Sequence, residues 1–154
     1  MTKFGETNCY NVQLLAGILQ ALRADYEAGY LKTIEELIHA DIFSDFLEMA
    51  SYLLAEGFKD PAAVIVGGVL EEHIRKLCCK HGITITSNSR PKKADAMNAE
   101  LAGAGVLSKL DQKNVTAWLD LRNKSAHGKY TEYTQQQVEL FLQSIQDFLT
   151  RVPA

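Results

Sequence analysis

The stretch Asp60-Pro61-Ala62-Ala63-Val64-Ile65-Val66-Gly67-Gly68-Val69-Leu70-Glu71-Glu72-His73-Ile74-Arg75-Lys76-Leu77 decides the fold. Asp60 is placed to cap free first-turn amides, and Pro61 at the first helical position loses nothing by lacking an N–H. The helix so predicted runs to about Lys80 and stops at Gly82. Its apolar run, Ala62 to Leu70, is interrupted by Gly67 and Gly68 and is too short to span a bilayer. Ala62, Ala63, Gly67 and Gly68 instead leave room for a second helix to come close.

Helical spacing continues on both sides. Before this stretch, Val12, Leu15, Leu19, Leu22, Tyr26, Tyr30, Ile34, Leu37 and Ile38 recur at steps of three and four, predicting one long helix that Gly29 can bend. A second helix is predicted from about Asp41 to Glu56, with Phe43, Phe46, Leu47, Ala50, Leu53 and Leu54 facing inward and Gly57 as its stop. Beyond Gly82, residues Ile83 to Lys93 read as a polar, basic loop. Their opening alternation is strand-like, but a lone short strand has no partner. A short helix follows from about Ala94 to Ala102. Ser108 with Asp111, and Thr134 with Gln137, mark the capped starts of two more helices, the first ending at Gly128 and the last running through Val152. The expectation is an all-α, up-and-down antiparallel bundle of about four main helices plus a short extra helix, in a single domain, residues 1–154.

The 154 residues suffice to bury a core, and 47% hydrophobic with 23% charged residues exclude a disordered or membrane-embedded chain. The amino terminus carries no basic-then-apolar signal pattern, and three cysteines, two of them adjacent, make no disulfide framework. A cytoplasmic protein with reduced thiols and no membrane partner is expected. The net charge of −3 hides a segregation. From His73 to Lys129 eleven Lys/Arg face four acids, a balance of +7, and the remainder carries −10. An anionic ligand near this cationic segment is favoured.

Inside that segment lies Arg122-Asn123-Lys124-Ser125-Ala126-His127-Gly128, at the end of a predicted helix. It sets an obligate cation, an amide and an imidazole within about one and a half turns. Asn123 and His127 share a face, and the stem of Arg122 reaches the same space. These groups suffice to grip a phosphate and move a proton beside it without metal or cofactor. The same residues also make an ordinary helix terminus, with cations favoured by the macrodipole and glycine just past the end. Spacing alone leaves both readings open.

The wider pattern resembles the HEPN superfamily of all-helical domains. Their mark is Arg, four to six intervening residues and then His near the end of a late helix, commonly with Asn directly after the Arg; here these are Arg122, Asn123 and His127. Leu70 to Leu77 is similar to the helix that bears a buried acid in several branches, and Gly105-Val106-Leu107-Ser108 to the approach to the motif helix. The resemblance covers about Pro61 to Val152. It implies a metal-independent endoribonuclease in which the 2′-OH of RNA attacks the neighbouring phosphate. His127 would carry a proton, Arg122 would hold non-bridging oxygens, and Asn123 would orient His127 or donate to the phosphate. It also implies a homodimer in which two motifs share one cleft, and an antitoxin or other protein partner in a toxin–antitoxin or phage-defence setting. Some members keep the fold only as modules that bind a nucleotide, RNA or a protein, which is the alternative reading. In the toxin branch the motif ends His-x-Tyr; Tyr130 stands one residue later.

Further candidates surround the motif. Glu71, favoured by the resemblance over Glu72, is a carboxylate suited to fixing Arg122, or one of a solvated acidic pair. Trp118, one turn before Arg122, is placed to stack a base, or to join the core with Val115 and Leu119, the commoner fate at this spacing. Lys124 and Tyr130 complete the substrate-side set. Arg90 to Lys93 suit a nucleic-acid backbone or simply a solvated loop. His73, Cys78, Cys79 and His81 lack the spacing of a zinc site, so no metal is expected.

Overall fold

A computed structural model describes residues 4–154, with side chains described for 11–29, 37–38 and 41–154. The helices are α1 (Phe4–Glu27), α2 (Tyr30–Ala55), α3 (Lys59–Lys80), α4 (Ala94–Gly103), α5 (Lys109–Ala126) and α6 (Gln135–Arg151); the strands β1 (Thr86–Ser87) and β2 (Arg90–Pro91) complete the elements. The fold is an all-α helical bundle, as the periodicity predicts. The chain divides into two compact units, Met1–Asp41 and Ile42–Ala154.

In the first unit the chain breaks at Gly29, whose φ of 81° is a conformation that glycine adopts without cost. The periodicity predicts one helix across Asn11–Ile38 and a second from Asp41. The structure instead ends α1 at Glu27 and carries α2 from Tyr30 without interruption, because His39-Ala40-Asp41 contains no helix breaker. Val12, Leu15, Leu19, Leu22, Tyr26, Leu37 and Ile38 are exposed. The side chains of Tyr30 and Ile34 lie outside the described residues.

The second unit is built around α3, which packs against α4, α5 and α6, while α4 also packs on α5. Ala62, Ala63, Val66, Leu70, Ile74 and Leu77 of α3 are fully buried. They meet Val115 and Leu119 of α5, Val138, Phe141, Ile145 and Phe148 of α6, and Phe43, Leu47, Ala50 and Leu54 of α2 in one core. Each fully buried Val, Leu, Ile or Phe among them contributes about 1.5–3 kcal/mol, which outweighs the weak intrinsic propensity of any single helix. Phe46, expected inward, is exposed beside Ile42 and Met49, whereas Leu53 is half-buried against the core.

Helix starts follow local chemistry in two cases. Ser108 accepts from the Asp111 amide at 3.0 Å, and Thr134 with Gln137 forms a full reciprocal capping box. The start of α3 differs from the reading. Its N-cap is Phe58, with no side-chain cap, and Asp60 lies inside the first turn. Asp60 is engaged by other partners: its Oδ1 accepts from the neighbouring Lys59 Nζ at 2.9 Å and from the distant Tyr133 hydroxyl at 2.8 Å. Pro61 still sits where a missing N–H is harmless, because the first-turn amides have no helical acceptor.

The segment expected to be a plain loop contains a small hairpin. β1 and β2 pair antiparallel, Thr86 opposite Pro91 and Ser87 opposite Arg90. The strand-like start finds its partner in the chain just beyond it. The two-residue turn has Asn88 and Ser89 at φ 50° and 61°, the signs of a type I′ turn that matches strand twist. Lys92 then bonds both oxygens of Glu100 at 2.7 Å, securing the hairpin to α4.

Among the described residues no helix is long and apolar enough to cross a membrane, and no three His, Cys, Asp or Glu side chains form a metal-holding group. His73 and Cys78 are instead buried in the core.

Candidate functional site

Helix α5 brings the motif to the side of α3. Gly67 is the reason it comes so close: a Cβ at that position would stand 2.9 Å from Arg122 Cβ and closer still to Cγ. From this bare patch the Arg122 side chain extends to Glu71, one turn further along α3. Its Nη2 donates to Glu71 Oε2 in a tight ion pair, and its Nη1 donates to Asn123 Oδ1 at 3.1 Å. The other Glu71 oxygen lies 3.8 Å from Arg75 Nη2, and Arg75 in turn reaches Glu72 at 3.5 Å. Charges therefore alternate along the row Arg122, Glu71, Arg75, Glu72. Flanking cation and anion hold the guanidinium in one orientation more firmly than a lone surface pair would.

The end of α5 places His127. Lys129 N–H donates to Lys124 O at 2.9 Å and Gly128 N–H to Ser125 O at 3.3 Å, the two bonds of a Schellman motif. Gly128 takes φ 72° at the position that requires it. His127 is the C-cap, exposed, with no side-chain hydrogen bond among the described residues. Of the two roles open to Asn123, orienting His127 or donating to the phosphate, the first has no hydrogen bond among the described residues; its Oδ1 instead accepts from Arg122.

The loop after the motif is clamped to the start of α3. Lys59 Nζ donates to the carbonyls of Tyr130 at 2.6 Å and Tyr133 at 3.3 Å, and lies 4.2 Å from the centre of the Tyr133 ring. Burial pushes the Asp60 carboxyl up, but the bonds from Lys59 and Tyr133 outweigh it and hold Asp60 below its ordinary value. Burial, and then the Asp60 carboxylate, raise the Tyr133 phenol. Tyr133 and Lys59 escaped the sequence reading, since nothing local ties positions more than seventy residues apart.

A cavity of about 340 Å³ opens over the motif. Glu71 lines it from α3; Leu119, Arg122, Asn123 and His127 line it from α5; Lys93, Ala94 and Asp95 form the wall at the start of α4. Its size is at the lower end of small-ligand pockets. Of the residues singled out in the sequence, Glu71, Arg122, Asn123 and His127 come together here. Lys124, Trp118 and Tyr130 do not line it. Lys124 pairs with Asp120 at 2.9 Å, the half-buried Trp118 stacks obliquely on Phe148 at 5.6 Å, and Tyr130 offers its carbonyl to Lys59. Trp118 thus takes the core role that its spacing favours. Lys93 is the last residue of the basic loop Arg90 to Lys93 that the sequence offers as a backbone contact or a solvated loop; Asp95 is an addition.

Chemically, the cavity presents a fixed guanidinium, an amide, a solvent-accessible imidazole and a lysine, with two carboxylates beside them. It suits an oxyanion held against a proton carrier. In comparisons with known proteins, the chain matches no family model, no curated protein and no solved structure.

Proposed function

We propose that the protein is a metal-independent endoribonuclease of HEPN type, acting in the cytoplasm as a homodimer. The observation that carries this reading is the convergence of Arg122, Asn123 and His127 on one cavity, with Glu71 behind the guanidinium. In the proposed reaction the 2′-oxygen attacks the adjacent phosphorus. The O2′–P bond forms, the P–O5′ bond breaks, and the products are a 2′,3′-cyclic phosphate and a free 5′-hydroxyl. One proton leaves the 2′-OH and one reaches O5′. Arg122 stabilises the crowded phosphorane through its fork of donors, and His127 carries a proton. Among the cavity-lining residues there is one imidazole, so the second proton carrier comes from the motif of a second copy. Free thiols at Cys78 and Cys79 fit a reducing compartment.

Purified protein is incubated with mixed RNA in EDTA beside His127→Ala. Cleavage by the wild type and its loss in the variant are expected; equal cleavage, or none by either, rejects the reading.

A second reading is favoured by one observation: His127 has no orienting partner among the described residues, while Arg122 is oriented by Glu71 and Asn123. A non-catalytic module would bind a nucleotide, RNA or a protein without turnover. Arg122→Ala would then weaken binding and His127→Ala would leave it unchanged.

A further inference from the structure

The charges around the cavity are unequal in availability. Arg122 is already neutralised by Glu71 and shared with Asn123, and Lys124 is tied to Asp120. Lys92, which does not line the cavity, is held by Glu100. Lys93 is exposed and lines the cavity, and among the described residues its ammonium has no ion-pair or hydrogen-bond partner. Its position also runs against local stability. Lys93 is the N-cap of α4, where a side-chain acceptor would bond the first amides and where the macrodipole disfavours a cation. The acid of that first turn, Asp95, stands where the macrodipole favours it. The hairpin β1–β2 and the Lys92–Glu100 bridge together fix where this lysine emerges.

A cavity of about 340 Å³ holds little more than one nucleotide-sized group. A bound chain must therefore leave it across the rim, where an unpaired cation carried on the start of α4 meets the next phosphate. We propose that Lys93 contacts the phosphate flanking the one held by Arg122, and so makes the site select a nucleotide chain over a mononucleotide. The proposal rests on the reading of the cavity as an RNA site and names the residue that sets its substrate class. Lys93 is a positioning residue: it acts on the neighbouring phosphate and leaves the reacting one to Arg122 and His127.

The test is binding of two probes, a non-cleavable 2′-O-methyl RNA oligonucleotide and uridine 3′-monophosphate, across a salt series. Lys93→Gln is expected to weaken the oligonucleotide about fivefold at low salt and to lower the magnitude of its salt slope by about one. The mononucleotide should bind as to wild type. Lys93→Arg should restore the oligonucleotide, and Lys92→Gln should not reproduce the length-selective loss. Arg122→Ala should weaken both probes. If Arg122→Ala acts as expected but Lys93→Gln changes neither probe, or both equally, the role of Lys93 is overturned and the cavity reading stands. If the oligonucleotide ignores Arg122→Ala or fails to bind wild type, the cavity reading falls and takes the proposal with it.

Discussion

Gly67 of α3 lies directly under the root of the Arg122 side chain on α5, leaving no space for a Cβ. The atoms in the way are Cβ and Cγ of Arg122, close to the backbone, so the arginine cannot swing clear without moving α5. Gly67→Ala should therefore destabilise the protein by about 2 kcal/mol through overpacking, despite the better helix propensity of alanine. Gly68→Ala meets nothing within 4 Å and should instead stabilise by about 0.5–1 kcal/mol. Denaturant midpoints of the two neighbours should move in opposite directions; a shared direction would remove the close-approach argument.

Glu71 holds Arg122 in place and competes with any incoming anion for it. Glu71→Gln should cost about 1 kcal/mol of stability, since it leaves two half-buried guanidinium groups with one carboxylate fewer. It should also tighten binding of inorganic phosphate, measured by calorimetry, while lowering RNA cleavage because the guanidinium loses its orientation. Unchanged phosphate affinity would show that Glu71 does not govern Arg122.

The clamp between Lys59, Asp60 and Tyr133 holds the loop that follows His127. Tyr133→Phe removes one partly buried hydrogen bond and should cost about 1 kcal/mol. Amide hydrogen exchange should speed up from Lys129 to Glu132 and stay unchanged in α3 beyond its first turn. Uniform acceleration across the molecule would mean that the tyrosine supports the core as a whole.

His73 offers a test of the core by pH. It is 2% exposed, with Nε2 donating to the Val152 carbonyl at 2.8 Å and rings of Phe43 and Phe148 edge-on to it. Burial, helped by the charge of Lys80, pushes its pKa from 6.5 to about 4 despite the Val152 bond. The folded state thus keeps His73 neutral at pH values where the unfolded chain has taken up a proton. Stability should fall as pH drops from 6.5 to 4 and the contribution should level off below, a loss of about 3 kcal/mol. Urea unfolding of wild type and His73→Leu across that window should show the steeper pH dependence in wild type.

Several of these features were legible in the sequence. Ser108 with Asp111, Thr134 with Gln137, and the glycines ending α2, α3 and α5 act through neighbours within a few residues, so short-range chemistry marks them. The grouping of Arg122, Asn123 and His127 was legible for the same reason. What was hidden depends on distant partners. Asp60 left its capping role for Tyr133, 73 residues away, and Trp118 went to Phe148 on another helix. The Glu71–Arg122 pair was suggested by resemblance, but the reason for its closeness, the bare face at Gly67, emerges only when α3 and α5 are packed. Lys93 is one of a run of basic residues in the sequence; it stands apart from Lys92 only in the fold, where Lys92 pairs with Glu100 and Lys93 lines the cavity.

Whether Arg122 and His127 form a ribonuclease site is decided by cleavage of mixed RNA in EDTA by wild type, His127→Ala and Arg122→Ala, with product ends identified. Wild type should leave 2′,3′-cyclic phosphate ends, and either variant should cleave at least about a hundredfold more slowly. Cleavage that survives both substitutions, or that yields other ends, would contradict such a site.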